Sequence, residues 1–124
     1  MPTHLFELLD DITDLHTQIA SALHSSRASQ FPLMLHFAET FRPFVHRLEA
    51  HQAYLVHLEQ VTKELDNIIL DLESNYGQFI RSQSSAPECG SMGLTSFLLK
   101  PMQRLTKYPL FFKVSDVITS TCVY

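Results

Sequence analysis

Apolar residues recur every three or four positions through most of this 124-residue chain. Leu5, Leu8, Leu9, Ile12, Leu15, Ile19 and Leu23 make the first stripe, and Asp10, Asp11 and Asp14 fall off it. That period matches one face of a helix and predicts a helix over 4–24. Residues 25–30, with their Ser-Ser and Ala-Ser pairs, read as a linker. Residues 31–47 bring four phenylalanines, Phe31, Phe37, Phe41 and Phe44. Pro32 suits a helix start and Pro43 a break, so a short helix, a bend and a second short helix are predicted. Residues 48–58 lead into a second long stripe: Val61, Leu65, Ile68, Ile69, Leu72, Tyr76, Phe79 and Ile80. This predicts one helix over 61–80. Residues 82–93 hold Pro87, Gly90 and Gly93 and read as the longest loop. Only three glycines occur in the whole chain, and no segment alternates as a half-buried strand does. The predicted fold class is all-α.

Residues 94–113, LTSFLLKPMQRLTKYPLFFK, break the pattern in an informative way. Lys100, Arg104, Lys107 and Lys113 alternate with large apolar residues, and no Asp or Glu intervenes. Thr95 and Ser96 are candidate caps for a short lead-in turn. A residue before proline is pushed out of the helical region, which predicts a break at Lys100. Pro101 fits the first position of a new helix, where its missing N–H costs nothing. In that helix Met102, Leu105, Pro109 and Phe112 make an apolar face, and Gln103, Arg104, Lys107 and Phe111 make another. Pro109 cannot bond back to the carbonyl of Leu105, so a kink or a locally opened turn is predicted there. On spacing alone the basic face simply keeps a core helix in solution.

The stretch LLKPMQRLTKYPLFFK resembles the signature helix of the Dbl-homology domain, the Rho guanine-nucleotide exchange factor family. That helix typically reads LLKPVQRITKYPLLLK. Both prolines and the Gln-Arg-x-x-Lys-Tyr core are in place over 98–113. Leu15-His16 is similar to a Leu-His pair that precedes a linker in the same family. The resemblance implies an elongated helical bundle of the Dbl-homology type that binds Rho-family small GTPases of the Rho, Rac or Cdc42 type and promotes GDP release. It implies that Gln103 and Lys107 face the GTPase switch segments, with Lys100 and Phe111 beside them and Arg104 either assisting them or bracing the bundle. Ser91 and Met92 would occupy the places in the preceding loop that tune which GTPase is accepted. Such a protein breaks no covalent bond, so no catalytic residue, cofactor or metal is expected. A non-catalytic helical module that binds a GTPase or a helical partner without exchange is the alternative reading.

Charge sharpens this picture. Residues 1–93 carry five Lys/Arg against twelve Asp/Glu, a balance of −7, and the remainder carries four against Asp116 alone, +3. A basic patch on an acidic body suits an acidic protein partner, whereas a nucleic-acid footprint brings a basic domain. Seven histidines invite a metal reading, but no two lie three or four apart, the spacing of a helical zinc pair. No glycine-rich phosphate loop is present, and carboxylates such as Asp66 and Asp71 read as solvated. Without a signal-peptide or membrane-helix pattern, Cys89 and Cys122 are expected to be reduced thiols in a cytoplasmic protein, recruited to the plasma membrane in its parent.

The resemblance does not extend over the whole family pattern. The family opens on a segment like ELLxTERxYVxxL, whose Glu contacts the first switch, and no such segment occurs here. Its last helix carries an Asn or Asp that reaches the GTPase, whereas Lys113 is followed here by VSDVITSTCVY. The expectation is a partial domain over 1–118 and a divergent tail over 119–124, with no pleckstrin-homology partner following. The chain alone is expected to be inactive in exchange, with Leu8, Leu15, Ile68, Leu72 and Leu105 partly exposed.

Overall fold

The computed structural model describes residues 3–32 and 34–121, and these contain helices, turns and no strand. Helix α1 runs over Thr3–Gln30 and α2 over Phe37–Phe41. A 3₁₀ segment, Arg42–Glu49, leads directly into α3, Ala50–Leu70. Helix α4 spans Asn75–Ser84, and α5 (Leu94–Leu98), α6 (Lys100–Leu105) and α7 (Tyr108–Thr121) complete the chain. None of the described helices is long and apolar enough to cross a membrane.

Helix α1 is longer than its stripe. The residues that read as a linker extend it by another turn and a half and pin the return of the chain. The Gln30 side-chain oxygen accepts from the backbone N–H groups of Leu35 and His36, and its amide donates to Ser26 Oγ. Thr40 donates to the same Ser26 hydroxyl. Short polar side chains thus act as local hydrogen-bonding partners, as they do at helix ends generally. The next helix begins at Phe37 rather than at Pro32, and Pro43 lies in the first turn of the 3₁₀ segment instead of breaking one.

The stripe over 61–80 is divided between two helices. Helix α3 starts eleven residues earlier than that stripe, at Ala50, and stops at Leu70. Asp71 leaves the helical region, and its carboxylate accepts from Glu73 N–H, an Asx turn. Ser74 then caps α4 by accepting from Gly77 N–H. Both bonds replace helical ones, so the apolar pattern is overridden and Leu70 and Leu72 face solvent. The guanidinium of Arg81 donates to the carbonyls of Ile69 and Asp71 at the end of α3. Gly77 is required at this corner, since a Cβ there would lie 2.2 Å from the backbone oxygen of Ile68.

Two clusters form the core. Leu5, Ile12, Tyr54, Leu58, Val61, Leu65, Ile80 and Leu98 make an aliphatic one, in which the Tyr54 hydroxyl donates to the Leu98 carbonyl at 2.8 Å. Burial of that kind stabilises by roughly 1.5–3 kcal/mol per large side chain. Leu15, Ile19, Phe41 and Tyr108 make the second, with Phe44, Leu105 and Phe112 packed on it. Leu15 is therefore fully buried, not partly exposed, and Leu8, Ile68 and Leu105 are half-buried.

Candidate GTPase-binding face

The signature stretch forms three short helices. Helix α5 is preceded by Gly93 with no side-chain cap, so neither Thr95 nor Ser96 takes that role. Pro101 lies in the first turn of α6, where its missing donor is harmless. Pro109 does the same for α7, and the kink or opened turn expected there is a turn across Thr106 and Lys107, where α6 ends and α7 begins. Pro109 itself is exposed, and the residue buried beside it is Tyr108, at 4% exposure. The stripe Leu105, Tyr108, Phe112 carries the buried face. The step from Leu105 to Pro109 obscured it.

Lys100, Gln103, Arg104, Lys107 and Phe111 are all exposed. Arg104 lies over two rings, its guanidinium carbon 5.4 Å from the Tyr108 centroid and 5.5 Å from that of Phe111. Such stacking holds a cation in place while leaving its N–H groups available. Lys100 lies 5.8 Å from the centre of Phe97. The side chains of Gln103 and Lys107 have no hydrogen-bond or ion-pair partner among the described residues. The ion pairs among the described residues are His4–Glu7, His36–Glu39 and Lys63–Glu59, and none reaches this face. Among the described residues its positive charge is not offset by a bonded carboxylate.

Ser91 sits at the turn before α5 in a left-handed conformation, φ 63°, next to Gly90 at φ 55°. Ser91 is exposed and Met92 half-buried. Among the described residues no hydrogen bond or ring contact links either of them to the basic face.

Behind the face lies a polar line that spacing in the sequence does not reveal. His16 and His51 are 35 positions apart, yet their Nε2 atoms lie 3.0 Å apart. Tyr108 Oη lies 2.6 Å from His16 Nδ1, and His51 Nδ1 lies 3.0 Å from the carbonyl oxygen of Leu48. His16 is thus a junction between α1, α3 and α7, half-buried at the edge of an open groove. Burial pushes its pKa below the ordinary 6.5, and His51 and the Arg104 charge push the same way. His51 is lowered too, chiefly by burial, against the opposing pull of the Leu48 carbonyl. Among the described residues no group of three or more His, Cys, Asp or Glu could hold a metal.

The RhoGEF domain family matches residues 3–121. The chain belongs to that family. The match runs past 118, and α7 continues as helix to Thr121. Cys122 lies outside the described residues. Mouse Intersectin-2 is 46% identical over 43 residues, which is 35% of this chain and 3% of that protein. The Dictyostelium discoideum RhoGEF domain-containing protein gxcJ is 29% identical over 109 residues, 88% of this chain and 9% of that protein. Human Rho guanine nucleotide exchange factor 11 is 26% identical over 114 residues, 88% of this chain and 7% of that protein. The chain thus spans under a tenth of the length of these relatives. No solved structure matches it. Nucleotide-exchange families promote GDP release without covalent chemistry, and membership implies a small-GTPase partner.

Proposed function

We propose that this domain binds Rho-family GTPases of the Rho, Rac or Cdc42 type through Gln103, Arg104 and Lys107, with Lys100 and Phe111 at the rim. The supporting observation is the exposed, unpaired Gln103 and Lys107 flanking an Arg104 held on two aromatic rings. Lys107 provides a cation for an acidic switch residue, and the Gln103 amide both donates to and accepts from switch backbone. Ser91 and Met92 contribute to the choice of GTPase from the turn before α5. Exchange follows where these contacts favour the nucleotide-free GTPase over its GDP-bound form. The setting is the cytoplasm, with recruitment to the plasma membrane and a following pleckstrin-homology domain in the parent protein.

A thousandfold acceleration of release needs about 4 kcal/mol of such preference. One hydrogen bond to a charged group contributes about 1.5–3 kcal/mol. We therefore expect these 124 residues to bind a nucleotide-free GTPase more readily than they release GDP from a loaded one. The test measures both: capture of nucleotide-free Rac, Rho and Cdc42-type GTPases, and release of a fluorescent GDP analogue. Gln103→Ala with Lys107→Ala abolishes capture on this reading. Undiminished capture by the folded double variant would place the interface elsewhere. Robust release by the 124 residues would remove the distinction between binding and exchange.

A further inference from the structure

The corner between α3 and α4 is braced from several sides. The Asp71 and Ser74 side chains make the turn, Gln78 Nε2 donates to the Leu72 carbonyl at 3.1 Å, and Arg81 closes on the carbonyls of Ile69 and Asp71. A continuous helix would carry Tyr76 onward along the stripe of Leu65 and Leu72. The corner instead sets Tyr76 in the wall of a groove that Leu65 and Ile68 also line. The floor of that groove is the aliphatic core itself, at Leu5, Val61, Leu65 and Leu98, all buried. Phe6 and Tyr76 stand beside it at 51% and 38% exposure. Of its lining residues, Glu64 alone carries a charge.

We propose that this groove docks a segment of a partner protein that sets one large apolar side chain beside a Lys or Arg. Size selects the occupant first. The groove holds about 80 Å³, whereas pockets for metabolites and drugs run to about 300–1,000 Å³. It accepts a side chain and excludes a metabolite. An apolar lining gives water few partners, so little hydration is lost when an aliphatic or aromatic group enters. Anchors of this kind, seated in dry pockets, carry a large share of the energy at protein interfaces. The braced corner fixes the Tyr76 wall beforehand, which lowers the ordering cost of docking.

Charge selects it next. Glu64 is exposed and has no ion-pair or hydrogen-bond partner among the described residues. The cations on the elements that build the groove are already engaged. Lys63 Nζ lies 3.2 Å from Glu59 Oε1, and the Arg81 guanidinium is spent on the two carbonyls at the end of α3. Asp66, Asp71 and Glu73 add further negative charge along the same stretch. A carboxylate at the edge of an apolar surface pairs with a cation more strongly than one in open water, because the local dielectric is lower. An acidic segment or an anionic bilayer is repelled. This surface is opposite in charge to the face of Lys100, Arg104 and Lys107 and shares no lining residue with it.

The experiment uses the whole 124-residue chain and fluorescent amphipathic peptides. One carries leucine and lysine at helical spacing, another has glutamate in place of lysine, and another serine in place of leucine. Anisotropy shows saturable binding of the leucine–lysine peptide alone. NMR locates it: the Ile68 and Leu94 methyls shift as the peptide is added, while the Arg104 side-chain protons, shielded by the Tyr108 ring, stay fixed. Glu64→Lys changes an exposed side chain, weakens the lysine peptide by about tenfold or more, the worth of one charge-assisted bond, and admits the glutamate peptide. Leu94→Phe fills the groove and abolishes binding of the lysine peptide. Equal binding of the serine peptide, movement of Arg104 in place of Ile68 and Leu94, or an unaltered preference in Glu64→Lys overturns the proposal. Concentration-dependent association of the chain alone, removed by Glu64→Lys, makes the occupant a second copy and overturns it as well.

Discussion

Leu58 and Phe41 are equally buried, but they sit in cores of different chemistry. Around Leu58 the neighbours are aliphatic, and the one polar bond inside, Tyr54 to the Leu98 carbonyl, is self-contained. Around Phe41 the neighbours are Phe37, Tyr108 and Phe112, and the adjoining line through His16 and His51 titrates. The aliphatic half can only be folded or unfolded. The aromatic half can stay folded while the orientation of its polar groups changes, and that half carries the basic face. Stability and positioning are thereby separated within one short bundle.

The largest effects test whether both halves are structural. Phe41→Ala should cost about 3–5 kcal/mol and Leu58→Ala about 2–5 kcal/mol in urea unfolding. The comparison requires a second difference: among molecules that remain folded, Leu58→Ala captures GTPase normally and Phe41→Ala does not. Equal loss of capture would show that the two cores act as one. Gly77→Ala is next, at about 1–3 kcal/mol, because the new methyl must displace the Ile68 carbonyl. Its melting temperature should fall, while the Arg104 proton shifts, which report the other half, stay where they are.

Smaller effects sharpen the contrast. Tyr54→Phe and Tyr108→Phe each remove one buried hydroxyl worth about 0.5–1.5 kcal/mol. The loss at Tyr54 should be the same at pH 7.5 and 5.5, since its partner is a peptide carbonyl. The contribution of Tyr108 should be constant from pH 7.5 to 6.5 and change only as the pH falls through the His16 pKa, which burial holds below 6.5, since a proton on Nδ1 turns that nitrogen from acceptor to donor. Thermal melts of both variants against the parent chain at the two pH values decide it. Smallest in stability is Gln103→Ala with Lys107→Ala, within about 0.5 kcal/mol for two exposed side chains. A larger loss would place either residue in the core.

What the sequence made legible follows from the physics of each signal. Helical periodicity reports burial along one helix, so the face of α1 and the helical class were readable. It does not report where a chain prefers a side-chain hydrogen bond to a backbone one. That is why Asp71 and Ser74 divide the stripe over 61–80, and why Ser26 and Gln30 belong to a helix instead of a linker. The exposed set Lys100, Gln103, Arg104, Lys107 and Phe111 was legible because prolines announce helix starts locally. Tyr108 was obscured because Pro109 interrupts the count, and His16–His51 because contacts between distant segments leave no period.

The bond from Tyr108 to His16 joins positions 92 apart. A chain made from its N-terminus folds its earlier parts first. On a ribosome, helices α1 and α3 can meet and align His16 with His51 long before Tyr108 emerges. During that interval the waiting acceptor on His16 faces water, and the basic face does not yet exist. The α1–α3 framework can therefore form before the segment that carries Tyr108 and Arg104 joins it.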